Sequence, residues 1–262
     1  MTNTAPVSPV VMLHSGGMSG RQWRRLGERL GAHDVVAPDF IGSGDEPAFV
    51  DDVAFDFSAD VDRVVARVEA ADVPVHLVGH SYGGLVAVTV ARRVPHLMRS
   101  LAVYDPVAFG VLHGAADAEG LADLARADVE PAFHDDAVGG GDAWFTLFVD
   151  YWNGAGAWRA MQPAARDAFL RVGRKVYREV SSLLRDRTPA AAYAVVEAPA
   201  VVLIGERSPL AAQRVGALLA DGFKQGRVEV IAGAGHMGPL THADLVNSAI
   251  VAHIAAVESA SA

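Results

Sequence analysis

The sequence predicts an α/β fold in which one mostly parallel β-sheet of about six strands carries helices on both faces. Three observations carry this prediction. Short apolar runs rich in β-branched residues alternate with helical patterns, the segment Gly79 to Gly83 has the form Gly-x-Ser-x-Gly between such a run and a helix, and residues 107–198 show helical patterns alone. We therefore assign residues 1–106 and 199–262 to the sheet-containing core and 107–198 to a helical cap insertion.

Composition limits the classes of function. The chain has 262 residues, of which 51% are hydrophobic and 20% charged, which suits one domain with a sizeable core. The net charge of -9 argues against binding to nucleic acid or to an anionic membrane and fits a small-molecule substrate better. No cysteine is present, which excludes disulfides, cysteine-bound zinc and a cysteine nucleophile.

The compartment and the assembly are less constrained by the sequence. The first residues lack a basic segment followed by an apolar core, and no later run is long and apolar enough to span a bilayer. We therefore expect a cytoplasmic protein. The oligomeric state stays open, a homodimer included.

The first part of the chain alternates between strands and helices. Two strands and two helices precede a third strand, and crossovers of this kind place parallel strands side by side. The predicted elements are strand 7–13, helix 21–30, strand 33–38, helix 57–70 and strand 73–79.

The alternation resumes after the helical insertion. The strand before the insertion covers residues 100–104 and ends at Asp105-Pro106. A strand over 199–205 follows the insertion, and Ser208 is predicted to cap the next helix with Pro209 at its first position. A last strand over 227–232 and a closing helix complete the sheet.

The Gly-x-Ser-x-Gly segment predicts a nucleophile. A turn this tight between a strand and a helix forces its central residue into a strained backbone conformation and requires glycine on either side. Ser81 holds that central position, which would raise its hydroxyl above the sheet. The backbone N–H of Tyr82 would point to where an oxyanion forms.

At these residues the chain resembles the α/β-hydrolase superfamily, and the resemblance extends from Val10 to the final helix. It implies that the loop His14-Ser15-Gly16 after the first strand supplies the second oxyanion donor, which is the N–H of Gly16. Relatives in this superfamily begin with an antiparallel hairpin, which we expect to be missing or vestigial here.

The same resemblance implies a catalytic base and an acid in the order Ser, Asp or Glu, His. His236 lies on a Gly-rich loop after the last strand, where the superfamily places its base. The turn that commonly carries the acid ends in Ser208 here, and a neutral serine could not compensate an imidazolium. The acid is therefore Asp105, at the end of its strand, or Glu206 as the alternative.

An aromatic stripe runs along one predicted helix of the insertion. Trp144, Phe148 and Trp152 stand at spacings that share a helix face, which indicates either packing inside the cap or the lining of an apolar substrate pocket. The sequence leaves both interpretations open.

Two other chemistries fit less well. Ser15-x-Gly17-x-x-Gly20 after a strand imitates a dinucleotide-binding fingerprint, but its first glycine is absent and the serine turn would stay unexplained. No spacing typical of metal ligands occurs. We expect no cofactor and no metal.

The sequence thus predicts a serine hydrolase for a small, largely apolar carboxylic ester or lactone. Hydrolysis of a C–C bond, a thioester or an amide, hydroxynitrile cleavage, and a ligand receptor on the same fold remain alternatives, because relatives use the same residues for all of them.

Overall fold

The computed structural model describes residues 7–51 and 54–260. Within this part, six strands form one sheet in the order β2-β1-β3-β4-β5-β6, and every neighbouring pair is parallel. The strands are β1 (Val10–Leu13), β2 (Val35–Val36), β3 (Val75–His80), β4 (Met98–Tyr104), β5 (Ala200–Gly205) and β6 (Gly226–Ile231). The predicted sheet is confirmed. The hairpin that we expect to be missing or vestigial would precede Val7, and residues 1–6 lie outside the described part.

Helices cover both faces of the sheet, as predicted. They are α1 (Arg24–Arg29), α2 (Ser58–Glu69), α3 (Tyr82–Arg93), α4 (Gly110–Gly114), α5 (Ala118–Asp128), α6 (Asp142–Asn153), α7 (Ala157–Ala160), α8 (Pro163–Arg171), α9 (Gly173–Leu183), α10 (Leu210–Gly222), α11 (Gly238–Thr241) and α12 (Ala243–Ser259). One apolar cluster joins the sheet to α2, α3 and α10, and a second joins it to α1 and α12. Burial on both faces explains why β5 is a continuous apolar run and why all six residues of β3, including its two histidines, are buried.

The strand order places the functional loops together. The chain passes from β1 outward to β2 and then returns across β1 to β3, so the strand order reverses between β1 and β3. In open parallel sheets the crevice at such a reversal, beyond the carboxyl ends of the strands, is where ligands bind. The loop after β1 and the turn after β3 meet there.

The insertion has an apolar core of its own. Its helices α6 and α9 pack around a cluster that includes Trp144, Phe145, Trp158 and Tyr177. The two ends of the insertion do not belong to this cap cluster. Phe109 near the start and Tyr193 near the end pack instead in the cluster that joins the sheet to α2, α3 and α10. The division into core and cap at residues 107–198 stays a prediction.

The expectation that Ser208 caps a helix is wrong. Helix α10 begins at Leu210 with Pro209 before it, and its first turn has no side-chain cap from Ser208. The Ser208 hydroxyl instead donates a hydrogen bond to the Asp105 carboxylate.

Across residues 7–51 and 54–260, no helix has the length and apolarity that crossing a bilayer requires.

Candidate active site

Ser81 occupies the tight turn between β3 and α3. Its backbone has φ 54° and ψ -116°, a conformation in the left-handed region that strains any residue with a Cβ. The flanking glycines are required by close packing, since a Cβ at Gly79 would collide with the carbonyl of Gly83. A Cβ at Gly83 would collide with the carbonyl oxygens of Leu13 and His14. The local sequence therefore determines both the strain at Ser81 and the contact of this turn with β1.

A chain of hydrogen bonds joins Ser81 to two other predicted site residues. The Ser81 hydroxyl lies 2.9 Å from His236 Nε2, and His236 Nδ1 lies 3.2 Å from Asp105 Oδ2. Asp105 is fully buried at the end of β4, with φ 40°. Its carboxylate also accepts hydrogen bonds from the backbone N–H of Gly205 at 3.2 Å and the hydroxyl of Ser208 at 2.5 Å. These bonds fix the position of the carboxylate beside His236.

Glu206, the alternative acid, is placed differently. Its side chain is exposed, and its carboxylate accepts the backbone N–H of Gly233 at 2.7 Å. Asp105, not Glu206, is therefore the carboxylate that contacts His236 in this structure.

The two predicted oxyanion donors border the same cavity as the serine. Gly16 and Tyr82 both line it beside Ser81 and His236. Tyr82 is the first residue of α3, where backbone N–H groups have no partner within the helix. His14 fixes the loop that carries Gly16.

The bonds of His14 explain how that loop is held. Its Nδ1–H donates to the carbonyl of Ser15 at 2.8 Å, and its Nε2 accepts the N–H of Phe40 at 3.1 Å. Burial lowers the pKa of His14 to about 4, so the ring is neutral and can accept this bond.

A second polar relay connects the Gly16 loop to the loop of His236. Gln22 Oε1 accepts from the N–H of Ser15 at 3.0 Å, and Gln22 Nε2 donates to His80 Nδ1 at 3.0 Å. His80 Nε2–H then donates to the carbonyl of His236 at 2.8 Å. Burial keeps the pKa of His80 well below its usual value, so this neutral ring both donates and accepts. The Ser15 hydroxyl also donates to Gln22 Oε1 at 3.2 Å, a bond that only a residue with a side-chain donor can make here.

A cavity of about 510 Å³ opens onto Ser81 and His236. Most of its wall is apolar and comes from the insertion and from the segment after Asp105, including Val107, Phe109, Phe133, Val180, Leu183 and Leu184. The size suits a small or medium ligand buried largely against hydrocarbon.

The aromatic stripe of α6 divides between the cavity and the cap core. Trp152 lines the cavity and stacks on His236, with ring centroids 3.8 Å apart and planes 21° from parallel. Phe148 also lines the cavity. Trp144 does not: it is fully buried, its indole N–H donates to the carbonyl of Phe133 at 3.0 Å, and its ring stacks on Phe148. Of the two interpretations that the sequence left open, Trp144 therefore follows packing inside the cap and not the lining of the pocket, because its side of the helix faces the cap core.

A buried charged cluster adjoins the cavity. Lys175 Nζ donates to Asp60 Oδ2 at 2.8 Å and to Glu179 Oε1 at 2.7 Å, and the Tyr82 hydroxyl donates to the same Asp60 oxygen at 2.7 Å. Burial favours the neutral amine, but Glu179 and Asp60 raise the pKa of Lys175 above its usual value. Burial raises the pKa of Glu179 to about 7, against the opposing effect of Lys175.

No sequence pattern pointed to this cluster. Lys175 and Glu179 are four residues apart, a spacing typical of an ion pair on an exposed helix face. The only sequence signal is that α9 has charged residues on the side that also carries Val176 and Val180, both of which are buried. In the described ranges, no three His, Cys, Asp or Glu side chains are grouped as a metal site would need.

Comparison with family models and curated proteins identifies relatives over nearly the whole chain. A model of the alpha/beta hydrolase family matches residues 10–249. An (E)-2-((N-methylformamido)methylene)succinate hydrolase from Acinetobacter baylyi is 27% identical over 260 residues, covering 93% of this chain and 89% of that protein. A pimeloyl-[acyl-carrier protein] methyl ester esterase from Neisseria meningitidis is 37% identical over 132 residues, covering 50% of this chain and 48% of the esterase. The latter match thus spans about half of each protein.

Solved structures share the fold. The enol-lactonase from Burkholderia xenovorans LB400 superposes with a TM-score of 0.65 at 19% identity, covering 95% of this chain and 92% of the lactonase. At this identity the likeness shows the fold alone.

Proposed function

Because the chain belongs to the alpha/beta hydrolase family, we propose that it is a serine hydrolase that cleaves a small, largely apolar carboxylic ester or lactone. The observation that carries the proposal is the hydrogen-bonded chain of Ser81, His236 and Asp105 at the floor of an apolar cavity of about 510 Å³. The name of an esterase among its relatives supports the bond type.

The reaction follows from the positions of these groups. Ser81 Oγ attacks the carbonyl carbon while His236 Nε2 takes its proton, and Asp105 holds the resulting imidazolium through Nδ1–H. The backbone N–H groups of Gly16 and Tyr82 stabilise the oxyanion of the tetrahedral intermediate. His236 returns the proton to the leaving alkoxide, which departs as the alcohol and leaves an acyl group on Ser81.

Water completes the cycle. His236 takes a proton from a water molecule, whose oxygen attacks the acyl carbon. Collapse of the second intermediate breaks the bond to Ser81 Oγ, which recovers the proton from His236, and the carboxylic acid is released. No cofactor is needed in this scheme.

Steady-state kinetics on p-nitrophenyl esters of increasing acyl length test the proposal. We expect turnover that prefers short to medium acyl chains and is abolished by Ser81→Ala. The variant should melt at an unchanged or higher temperature, because the substitution removes a hydroxyl from a strained turn without opening the core. Near-zero turnover with tight stoichiometric binding would instead indicate a receptor, and activity only on amides or thioesters would change the bond type.

We further propose that residues 107–198 act as the cap that sets substrate size, since this segment supplies most of the apolar cavity wall. A cytoplasmic location is also part of the proposal, and the oligomeric state is left open.

A further inference from the structure

The largely apolar wall of the cavity contains one acidic side chain among the described residues. Glu179 on α9 lines the cavity while being only 2% exposed to solvent. Its Oε1 accepts the Lys175 ammonium at 2.7 Å. Its Oε2 lies 2.8 Å from the point where a Cβ on Gly16 would stand, and so lies against the loop that supplies an oxyanion donor. Of the residues described, none donates a hydrogen bond to Oε2.

The surrounding charges fix the orientation of this carboxyl. Lys175 is shared between Glu179 and Asp60, and Asp60 is itself held by the Tyr82 hydroxyl and by the N–H of Ile41 at 3.0 Å. Turning Glu179 away from the cavity would break its bond to a buried ammonium, which is costly in an apolar interior. Oε2 therefore stays directed at the ligand space as a built-in hydrogen-bond acceptor.

A ligand that fills the cavity must satisfy this atom or cover it. A pure hydrocarbon chain would strip water from Oε2 without replacing its hydrogen bond, whereas a hydroxyl group at the same place would supply one. A substrate carboxylate would be repelled there, because the ionised cluster of two carboxylates and one ammonium carries a net negative charge.

We propose that Glu179 determines specificity by accepting a hydrogen bond through Oε2 from a hydroxyl group on the acyl chain, so that hydroxylated esters are preferred over plain aliphatic ones. This inference rests on the proposed esterase function and narrows its substrate class.

Matched p-nitrophenyl hexanoates test the inference. The unsubstituted ester is compared with esters that carry a hydroxyl or a methoxy group on carbon 2, 3 or 6, since methoxy accepts a hydrogen bond but cannot donate one. At pH 8 we expect kcat/KM for the hydroxyl ester at one of these positions to exceed that of its methoxy and unsubstituted counterparts by about tenfold, mainly through KM.

The variant Glu179→Gln replaces the hydrogen-bond acceptor Oε2 with a hydrogen-bond donor. Its amide oxygen must face Lys175, which turns the NH₂ group, a donor, toward the ligand. The preference for hydroxyl over methoxy should vanish or invert, while the unsubstituted ester is still hydrolysed. Glu119→Gln, on the exposed face of α5, is the matched control and should keep the wild-type preference.

The pH dependence of the preference provides a second readout. The charged and titratable groups that interact with Glu179 are Lys175, Asp60 and Tyr82, and the pKa of its carboxyl is about 7. The ratio of kcat/KM between hydroxyl and methoxy esters cancels any pH dependence of the catalytic steps that both esters share. The ratio should fall as the pH is lowered from 8 to 6, because a protonated Glu179 can also donate to the methoxy oxygen, and it should stay constant in Glu179→Gln.

The outcomes separate the inference from the function on which it rests. Equal kcat/KM for hydroxyl, methoxy and unsubstituted esters at every position would overturn the inference and leave the esterase function intact. Absence of all ester turnover would overturn the function. In that case calorimetric binding of the same esters to Ser81→Ala still decides the inference, since equal dissociation constants for the hydroxyl and methoxy esters would contradict it.

Discussion

Asp105 and Ser208 show how a hydrolase site can be completed from a neighbouring strand. Superfamily members commonly carry the acid in the turn after β5, and that position holds Ser208 here. The Ser208 hydroxyl donates to the carboxylate of Asp105 at the end of β4, and Asp105 reaches His236 from there. We infer that β4 supplies the acid while the usual acid position orients it.

Replacement of Asp105 tests this assignment at the residue scale. Asp105→Asn should lower kcat by about 10³ to 10⁴, because the amide cannot compensate the imidazolium and favours the wrong histidine tautomer. Glu206→Gln is the control and should cost far less, since its amide oxygen can still accept the N–H of Gly233. Steady-state kinetics on one short-chain ester compare the two variants, and the reverse ranking would move the acid to Glu206.

At the scale of elements, α6 contacts both the catalytic residues and the core of the cap. Trp152 near its end stacks on His236, whereas Trp144 near its start is enclosed by cap aromatics. The Trp152 ring thus contacts the proposed base, whereas the Trp144 ring packs within the cap core. The two tryptophans should therefore respond differently to truncation.

Trp152→Ala should shift the preferred acyl length toward longer chains and change KM, with kcat reduced less than in Asp105→Asn. Trp144→Ala should instead cost about 3–5 kcal/mol of unfolding free energy, as loss of a buried indole does, and keep the wild-type acyl profile. The ester series and urea denaturation measure both effects. If Trp144→Ala alters acyl preference while Trp152→Ala does not, the division of the stripe is wrong.

At the scale of the whole molecule, buried histidines link stability to pH. His253 on α12 is 4% exposed, and burial lowers its pKa to about 4. Between pH 6.5 and 4 the unfolded chain binds the proton that the folded protein excludes, so this group makes stability fall as the pH falls. Glu179, with its pKa raised to about 7, acts oppositely: stability from that group is lost as the pH rises from about 4.5 to 7.

His253→Leu isolates the first of these contributions. When the pH falls from 7 to 5, the unfolding free energy of the variant should decrease by about 2 kcal/mol less than that of the wild type. A pKa shift of His253 from 6.5 to about 4 requires a difference of this size. Urea denaturation at both pH values measures the difference, with the exposed His96→Gln as control. Identical pH dependence in His253→Leu and wild type would contradict a neutral buried His253.

The sequence predicted much of this architecture because its signals are local. The run before Ser81 and the glycines around it specify a strand and a tight turn, and six parallel strands follow from the alternation. The sequence predicts strand ends less well. The strand expected over 33–38 is shorter in the structure and covers only Val35–Val36. A short edge strand has few buried apolar residues, so the sequence pattern does not define where it begins and ends.

The set of residues that line the cavity depends on packing between segments that are distant in the sequence. Trp144 and Trp152 are eight residues apart on one helix, so periodicity alone gives them similar faces, and only the tertiary contacts separate them. The spacing of Lys175 and Glu179 is typical of a solvated pair, and their burial depends on Asp60, more than a hundred residues earlier in the chain. The identity of the distant residue that each side chain meets leaves no local signal in a single sequence.

Peptide mapping after labelling with a fluorophosphonate tests the central claim most directly, because this electrophile is attacked by an activated serine and retains the phosphonyl group on it. We expect one adduct, on Ser81, that is absent from Ser81→Ala and forms far more slowly in Asp105→Asn. An adduct on a different residue, or labelling of Ser81→Ala at the wild-type rate, would contradict the proposed nucleophile and the mechanism built on it.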